Sequence, residues 1–198
     1  MIETDRLTKR YGHLLAVDEL SFTVSQGEVL GFLGPNGAGK STTMKMLSGF
    51  LSPTSGSARI CGFDVESQPV EAKRQIGYLP EGAPSYGEMT ARSFLDFVAD
   101  IRELRGSNKA KRLEEVIDRL HLEPVLDQPI DNLSKGYRRR VGLAQAIVHD
   151  PRVLILDEPT DGLDPNQKRE VRSLIREMAE DKIIVISTNI LEEVHAVS

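Results

Sequence analysis

The apolar positions of this chain follow two periods. Strand-like runs come first: LSFTV at 20–24, EVLGFL at 28–33 and ARICGF at 58–63. QIGYLPE at 75–81 predicts a further short strand, followed by a loop rich in Gly and Pro. The period then becomes helical. TARSFLDFVADIREL at 90–104 carries apolar residues at helical spacing, with Thr90 as its cap. KAKRLEEVIDRLHL at 109–122 repeats the pattern and stops before Pro124. NLSKGYRRRVGLAQAIVH at 132–149 predicts a third helix, with Ser134 near its start. RVLILD at 152–157 is continuously apolar, as in a sheet covered on both faces. A helix over about 165–180 and a strand at 183–187 follow. In VISTNILEEV, at 185–194, that strand turns sharply into a helix at Asn189. The pattern predicts an α/β chain with a mostly helical insertion at about 82–150.

Composition narrows this picture. At 198 residues the chain suits one domain, or one domain with a sizeable insertion. It is 39% hydrophobic and 28% charged, as ordinary globular chains are. A net charge of −5 argues against a generic nucleic-acid binder. The single Cys61 excludes an internal disulfide, fits a reducing compartment and reads as a small buried strand residue. No apolar run reaches the roughly 18 residues of a membrane span. MIETDRLTKRYG at the amino terminus lacks an apolar signal core. Together these place the chain in the cytosol, with any membrane role supplied by a partner.

Two motifs carry chemistry. GPNGAGKST runs through Gly34, Pro35, Asn36, Gly37, Ala38, Gly39, Lys40, Ser41 and Thr42, and matches G-x-x-x-x-G-K-(S/T) between a strand and the helix TTMKMLSG. Such glycines let several backbone N–H groups converge on one anion, and the helix N-terminus adds partial positive charge. Lys40 is placed to reach the β- and γ-phosphates of a nucleotide, and the Ser41 hydroxyl to ligate Mg2+. The second motif is DEP at the end of RVLILD. Asp157 is placed to hold Mg2+ through water, and Glu158 to accept a proton from an attacking water.

LSKGYRRR at 133–140, read alone, is a capped basic helix start with a solvated face. Combined with GPNGAGKST, DEPTDGLD and ISTN, it resembles the signature of the ATP-binding cassette (ABC) family, usually LSGGQ. Leu133, Ser134 and Gly136 match, whereas Lys135 and Tyr137 depart. TDGLD at 160–164 resembles the family's loop that contacts an opposite subunit, with Asp164 as its acid. Tyr11 stands where the family stacks an aromatic on adenine, or else it is a half-buried aromatic at a strand end.

The resemblance covers essentially the whole chain and implies a fold and a mechanism. The fold is α/β: a P-loop NTPase core with an N-terminal antiparallel β region and an inserted helical subdomain. The core takes residues 1–81 and 151–198, and the subdomain 82–150. Two subunits close head to tail around two ATP molecules, each held between one subunit's GPNGAGKST and the other's Ser134 and Gly136. The cycle drives a polytopic membrane permease, bordered by the segment from about Glu81 to Met89, and keeps the subunit peripheral on the inner membrane face. The run LLAVDELSFTVSQGEVLGFLGPNGAGKSTTMKML resembles exporters with separately encoded membrane subunits. An ATP-gated switch with little hydrolysis, and a soluble relative acting in repair, translation or cluster assembly, stay open as alternatives.

Three positions depart from the family. Glu81 stands where Gln is usual, as a sensor of Mg2+ and water, and implies altered tuning of the metal. Asn189 stands where His is usual; it also makes a good N-cap, with Glu192 completing a capping-box pattern. An amide can donate to phosphate but cannot carry charge or shuttle a proton, so ATP binding is expected intact and hydrolysis slowed. The chain also stops at Ser198, where the family usually continues with further strands.

Overall fold

The computed structural model describes residues 1–82 and 86–188. Chain order begins with β1 (Ile2–Tyr11), β2 (Leu14–Val24), β3 (Val29–Leu33) and α1 (Lys40–Leu47). There follow β4 (Ser55–Ile60), β5 (Phe63–Asp64), α2 (Pro69–Arg74) and β6 (Ile76–Leu79). Three helices come next: α3 (Ala91–Ile101), α4 (Gly106–Arg119) and α5 (Lys135–Ile147). The described chain closes with β7 (Val153–Asp157), α6 (Pro165–Ala179) and β8 (Ile183–Thr188).

The strands form two sheets. One is antiparallel, in the order β2-β1-β4-β5, and the other is parallel, in the order β3-β8-β7-β6. The parallel sheet is covered on both faces, which is why its strands read as unbroken apolar runs. Leu154, Leu156, Ile184 and Ile186 pack with α3, α5 and α6 in one core. Val153, Ile155, Ile183 and Val185 face the other way, toward the antiparallel sheet and Met44, Met46 and Leu47 of α1.

Several expectations are corrected. The apolar pattern does not mark out β1 by itself: IETDRLTKRY is largely polar, yet Ile2, Thr4 and Leu7 are buried, and its pairing with β2 supplies the expected N-terminal antiparallel region. The expected strand at 58–63 breaks into a two-residue hairpin. Ile60 pairs with Phe63, and Cys61 and Gly62 take φ of 52° and 88°. Positive φ at both central residues is the geometry that matches hairpin twist. Cys61 therefore sits at a turn and is only partly buried. The expected helix at 132–149 is shorter. A 3-10 turn at Ile130–Asn132 precedes it, and Ser134 caps α5 by accepting the Tyr137 N–H. Thr90 caps α3 as expected, accepting the Ser93 N–H at 3.1 Å.

Candidate active site

The phosphate loop leaves β3 and returns as the first turn of α1. Gly39 is the pivot, at φ 88°. A Cβ there would strike the Ala16 carbonyl and come within 3.3 Å of Val17 Cγ2, so glycine is required twice over. The Gly39 carbonyl accepts both the Thr43 N–H at 2.8 Å and the Thr43 hydroxyl at 3.0 Å, which fixes the helix start. Lys40 folds back over the loop, its Nζ donating to the Gly34 carbonyl and, at 3.3 Å, to Pro35.

This loop floors an open cleft of about 420 Å³, lined also by Tyr11, Leu14, Ala16, Glu81 and Glu158. Four separate stretches of sequence thus meet at one place. Tyr11 ends β1 at 47% exposed, with Lys9 Nζ lying 5.4 Å from its ring centroid. Glu81 follows β6, and Glu158 follows β7.

Asp157 is 1% exposed at the C-terminal end of β7. Its Oδ1 accepts the Ser187 hydroxyl, and its Oδ2 is buried with no hydrogen-bond partner among the described residues. A buried carboxylate oxygen left without a donor suits a cation. Asp157 directly precedes Glu158, which lines the cleft together with Ser41, and carboxylate and hydroxyl oxygens are the donors that Mg2+ takes. Glu158 takes φ 50°, a conformation rare outside glycine. Its N–H donates to the Ser187 carbonyl at 3.2 Å and to Ser187 Oγ at 3.1 Å. One serine of β8 therefore orders both carboxylate residues. Nearby, the half-buried Tyr78, whose hydroxyl is buried, has its phenol pushed up to about 12, first by burial and then by the Asp157 charge.

Ser134, Gly136 and Asp164 do not line this cleft. They lie at a second surface, where Ser134 and Asp164 are exposed and Gly136 is buried beside Gln167. Ser134 caps α5, and Asp164 caps α6 by accepting the Asn166 and Gln167 N–H groups, both at 2.9 Å. The two loops pack together: Gln167 Oε1 lies 2.8 Å from where a Gly136 Cβ would stand, and Lys135 pairs with Asp161 at 2.8 Å. That pairing holds the Asp161 carboxyl below its ordinary value, chiefly through the Lys135 hydrogen bond. Lys135 replaces a signature glycine, and the structure gives it a partner in the facing loop. Asn189 lies outside the described residues.

The basic run RRR is not the solvated face it resembles. Arg138 is exposed, whereas Arg139 and Arg140 are buried. Desolvation pulls Arg139 below its ordinary value, opposed by the nearby charges of Asp161, Asp157, Glu158 and Glu81. Sequence reasoning missed Arg139 and Ser187. The signals available were three consecutive arginines in an apolar helix and a serine ending an otherwise apolar strand.

A profile of the ABC transporter family matches residues 17–161. The chain belongs to the ABC transporter family. Within that family it is 37% identical over 194 residues to the "Probable multidrug ABC transporter ATP-binding protein YbhF" of Escherichia coli, a match spanning 98% of this chain and 34% of that protein. It is 41% identical over 196 residues to the "Bacitracin transport ATP-binding protein BcrA" of Bacillus licheniformis, spanning 98% of this chain and 63% of the other. The ABC cassette described here therefore spans between a third and two thirds of these relatives. A solved ATP-binding subunit of an ABC transporter superposes with a TM-score of 0.89 at 30% identity, over 97% of this chain and 80% of that one. A dimeric bacterial ABC transporter cassette superposes at 0.91 with 24% identity, over 99% and 91% of the two chains, and supports the fold alone.

Proposed function

We propose that this chain binds and hydrolyses ATP as the nucleotide-binding subunit of an ABC exporter. The observation that carries the reading is the pair at the end of β7. Asp157 offers a buried, unpartnered Oδ2, and Glu158 reaches the cleft that the phosphate loop floors. In this reading the loop's N–H groups cradle the phosphates. Lys40 exchanges the Gly34 carbonyl for phosphate oxygens, and Tyr11 stacks on the base once Lys9 yields its face. Ser41, Asp157 and Glu81 hold Mg2+, which when bound neutralises charge on the transferring phosphoryl group. Glu158 accepts the proton of the attacking water as the bond to the leaving β-phosphate oxygen breaks. Asn189 donates to the γ-phosphate without charge, which slows turnover by about 100-fold or more relative to a fully equipped site.

Residues 1–81 and 151–198 act as the nucleotide-binding core and 82–150 as the helical subdomain. The second surface serves a second copy. Ser134 and Gly136, at the start of α5, face the partner's ATP with a helix N-terminus, and Asp164 contacts the partner. Likeness to proteins named for multidrug and bacitracin transport supports export. No helix among the described residues is long and apolar enough to cross a membrane. Transport then needs a polytopic permease, which holds the cassette at the inner face. A nearly non-hydrolysing, ATP-gated switch is the second reading, favoured by Glu81 and Asn189 together.

Closure is testable by sedimentation. Glu158→Gln with Mg2+ and ATP is expected to sediment as a dimer and to revert to monomer with ADP. Adding Lys40→Ala is expected to abolish the dimer. A mass unchanged by ATP contradicts the proposal.

A further inference from the structure

The arginines at 138–140 go three ways. Arg138 is exposed. Arg140 turns to α6, where it donates to Glu170 at 2.9 Å. Arg139 is 6% exposed and turns toward the end of β7. Its Nη1 donates to the Pro80 carbonyl at 2.8 Å, and its Nη2 donates to the carbonyls of both Asp157 and Glu158.

These acceptors share one property: each is main chain at the point where a residue enters the cleft. Pro80 precedes Glu81, and Asp157 leads into Glu158. Glu158 is the demanding one, because its φ of 50° lies in the left-handed region that residues other than glycine adopt only uncommonly. Its N–H is held from β8 by Ser187, and its carbonyl is held from α5 by Arg139. A guanidinium presents its donors in a planar fork, so one side chain can hold several carbonyls in a fixed relation. Arg139 also lies one helical turn beyond Gly136 on α5.

We infer that Arg139 is a positioning residue for ATP hydrolysis: from α5 it locks the main chain that aims Glu158 and Glu81 into the nucleotide cleft. Because it shares a helix with Ser134 and Gly136, it ties the arrival of a partner's nucleotide at the start of α5 to the aim of Glu158. The inference rests on the ATPase reading above.

The test uses the purified chain and compares Arg139→Gln, Arg139→Lys and Arg112→Lys. Arg112 does similar work at the other end of α5, donating to the carbonyls of Ile147 at 2.9 Å and Val148 at 3.0 Å. It reports what loosening the helix alone does. Arg139→Gln is expected to lower kcat by about 10- to 100-fold while KM and ATP affinity stay within about two-fold, since the phosphate loop is untouched. Amide hydrogen exchange through residues 157–161 is expected to rise. Arg139→Lys is expected to recover part of both, and Arg112→Lys to lower Tm without moving either.

A kcat for Arg139→Gln within two-fold of the parent overturns the inference. So does exchange at 157–161 that rises no more than in Arg112→Lys. A parent that turns over no faster than Glu158→Gln overturns the ATPase reading instead, and the exchange result still decides whether Arg139 holds this main chain.

Discussion

His149, two residues beyond α5, can take up a proton only at a cost. Its Nε2–H donates to the Ile76 carbonyl at 3.1 Å, and its Nδ1 is buried with no partner among the described residues. Burial, and then the charge of Arg102, push the imidazole down to about 3. In the unfolded chain it protonates near 6.5. Between those values the unfolded state binds the proton and the folded state does not. Stability therefore falls as pH drops below about 6.5, by up to about 1.4 kcal/mol per pH unit from this one group. His149→Gln keeps a donor for Ile76 and removes the titration, so urea midpoints between pH 4 and 6 are expected to depend less on pH. Equal slopes in parent and variant contradict this account. The same scale shows what was legible. The phosphate loop could be read because its backbone admits only glycine at fixed spacings, as at Gly39. Asp157 and Glu158 could be read because an apolar strand stopped in two carboxylates. Arg139 and Ser187 could not, because their partners are main-chain and carboxylate groups that become neighbours only when β6, β7, β8 and α5 assemble.

Among the elements, the helices were the most readable, because their caps are local. Thr90 and Ser134 each satisfy an N–H within their own first turn. Asp164 goes further: its carboxylate takes two N–H groups while the Gln167 side chain returns to the Asp164 N–H at 3.4 Å. Asp164→Ala is expected to cost about 1–2 kcal/mol, read as a lowered Tm, whether or not a partner is present. If Asp164 also contacts a second copy, the variant weakens the ATP-dependent dimer as well. An unchanged Tm contradicts the cap. β1 was the least readable element. Its register with β2 shifts between Thr4 and Leu7 and again before Lys9, so its buried residues do not alternate evenly. The hairpin at Cys61 hid for a similar reason, since a residue other than glycine takes the first left-handed position.

At the scale of the whole molecule, one parallel sheet separates two cores and brings its catalytic candidates to a single edge. β3, β7 and β6 all end at that edge, delivering the phosphate loop, the carboxylate pair and Glu81. In open α/β sheets ligands bind beyond the carboxyl ends of the strands. The continuous apolar runs made this layering legible. The packing of the signature loop against the 160–164 loop was not legible, because it depends on Lys135, a residue that departs from the family's motif. In the function we propose, this edge hydrolyses ATP with Glu158 as its base, and Asn189, outside the described residues, makes a weakened contact with the γ-phosphate. Steady-state ATP hydrolysis by the parent, Glu158→Gln and Asn189→His, with ATP binding measured in each, tests it most directly. The account predicts slow turnover in the parent, none in Glu158→Gln, and a rate about 100-fold higher in Asn189→His, with similar ATP affinity throughout. Equal rates in all three contradict it.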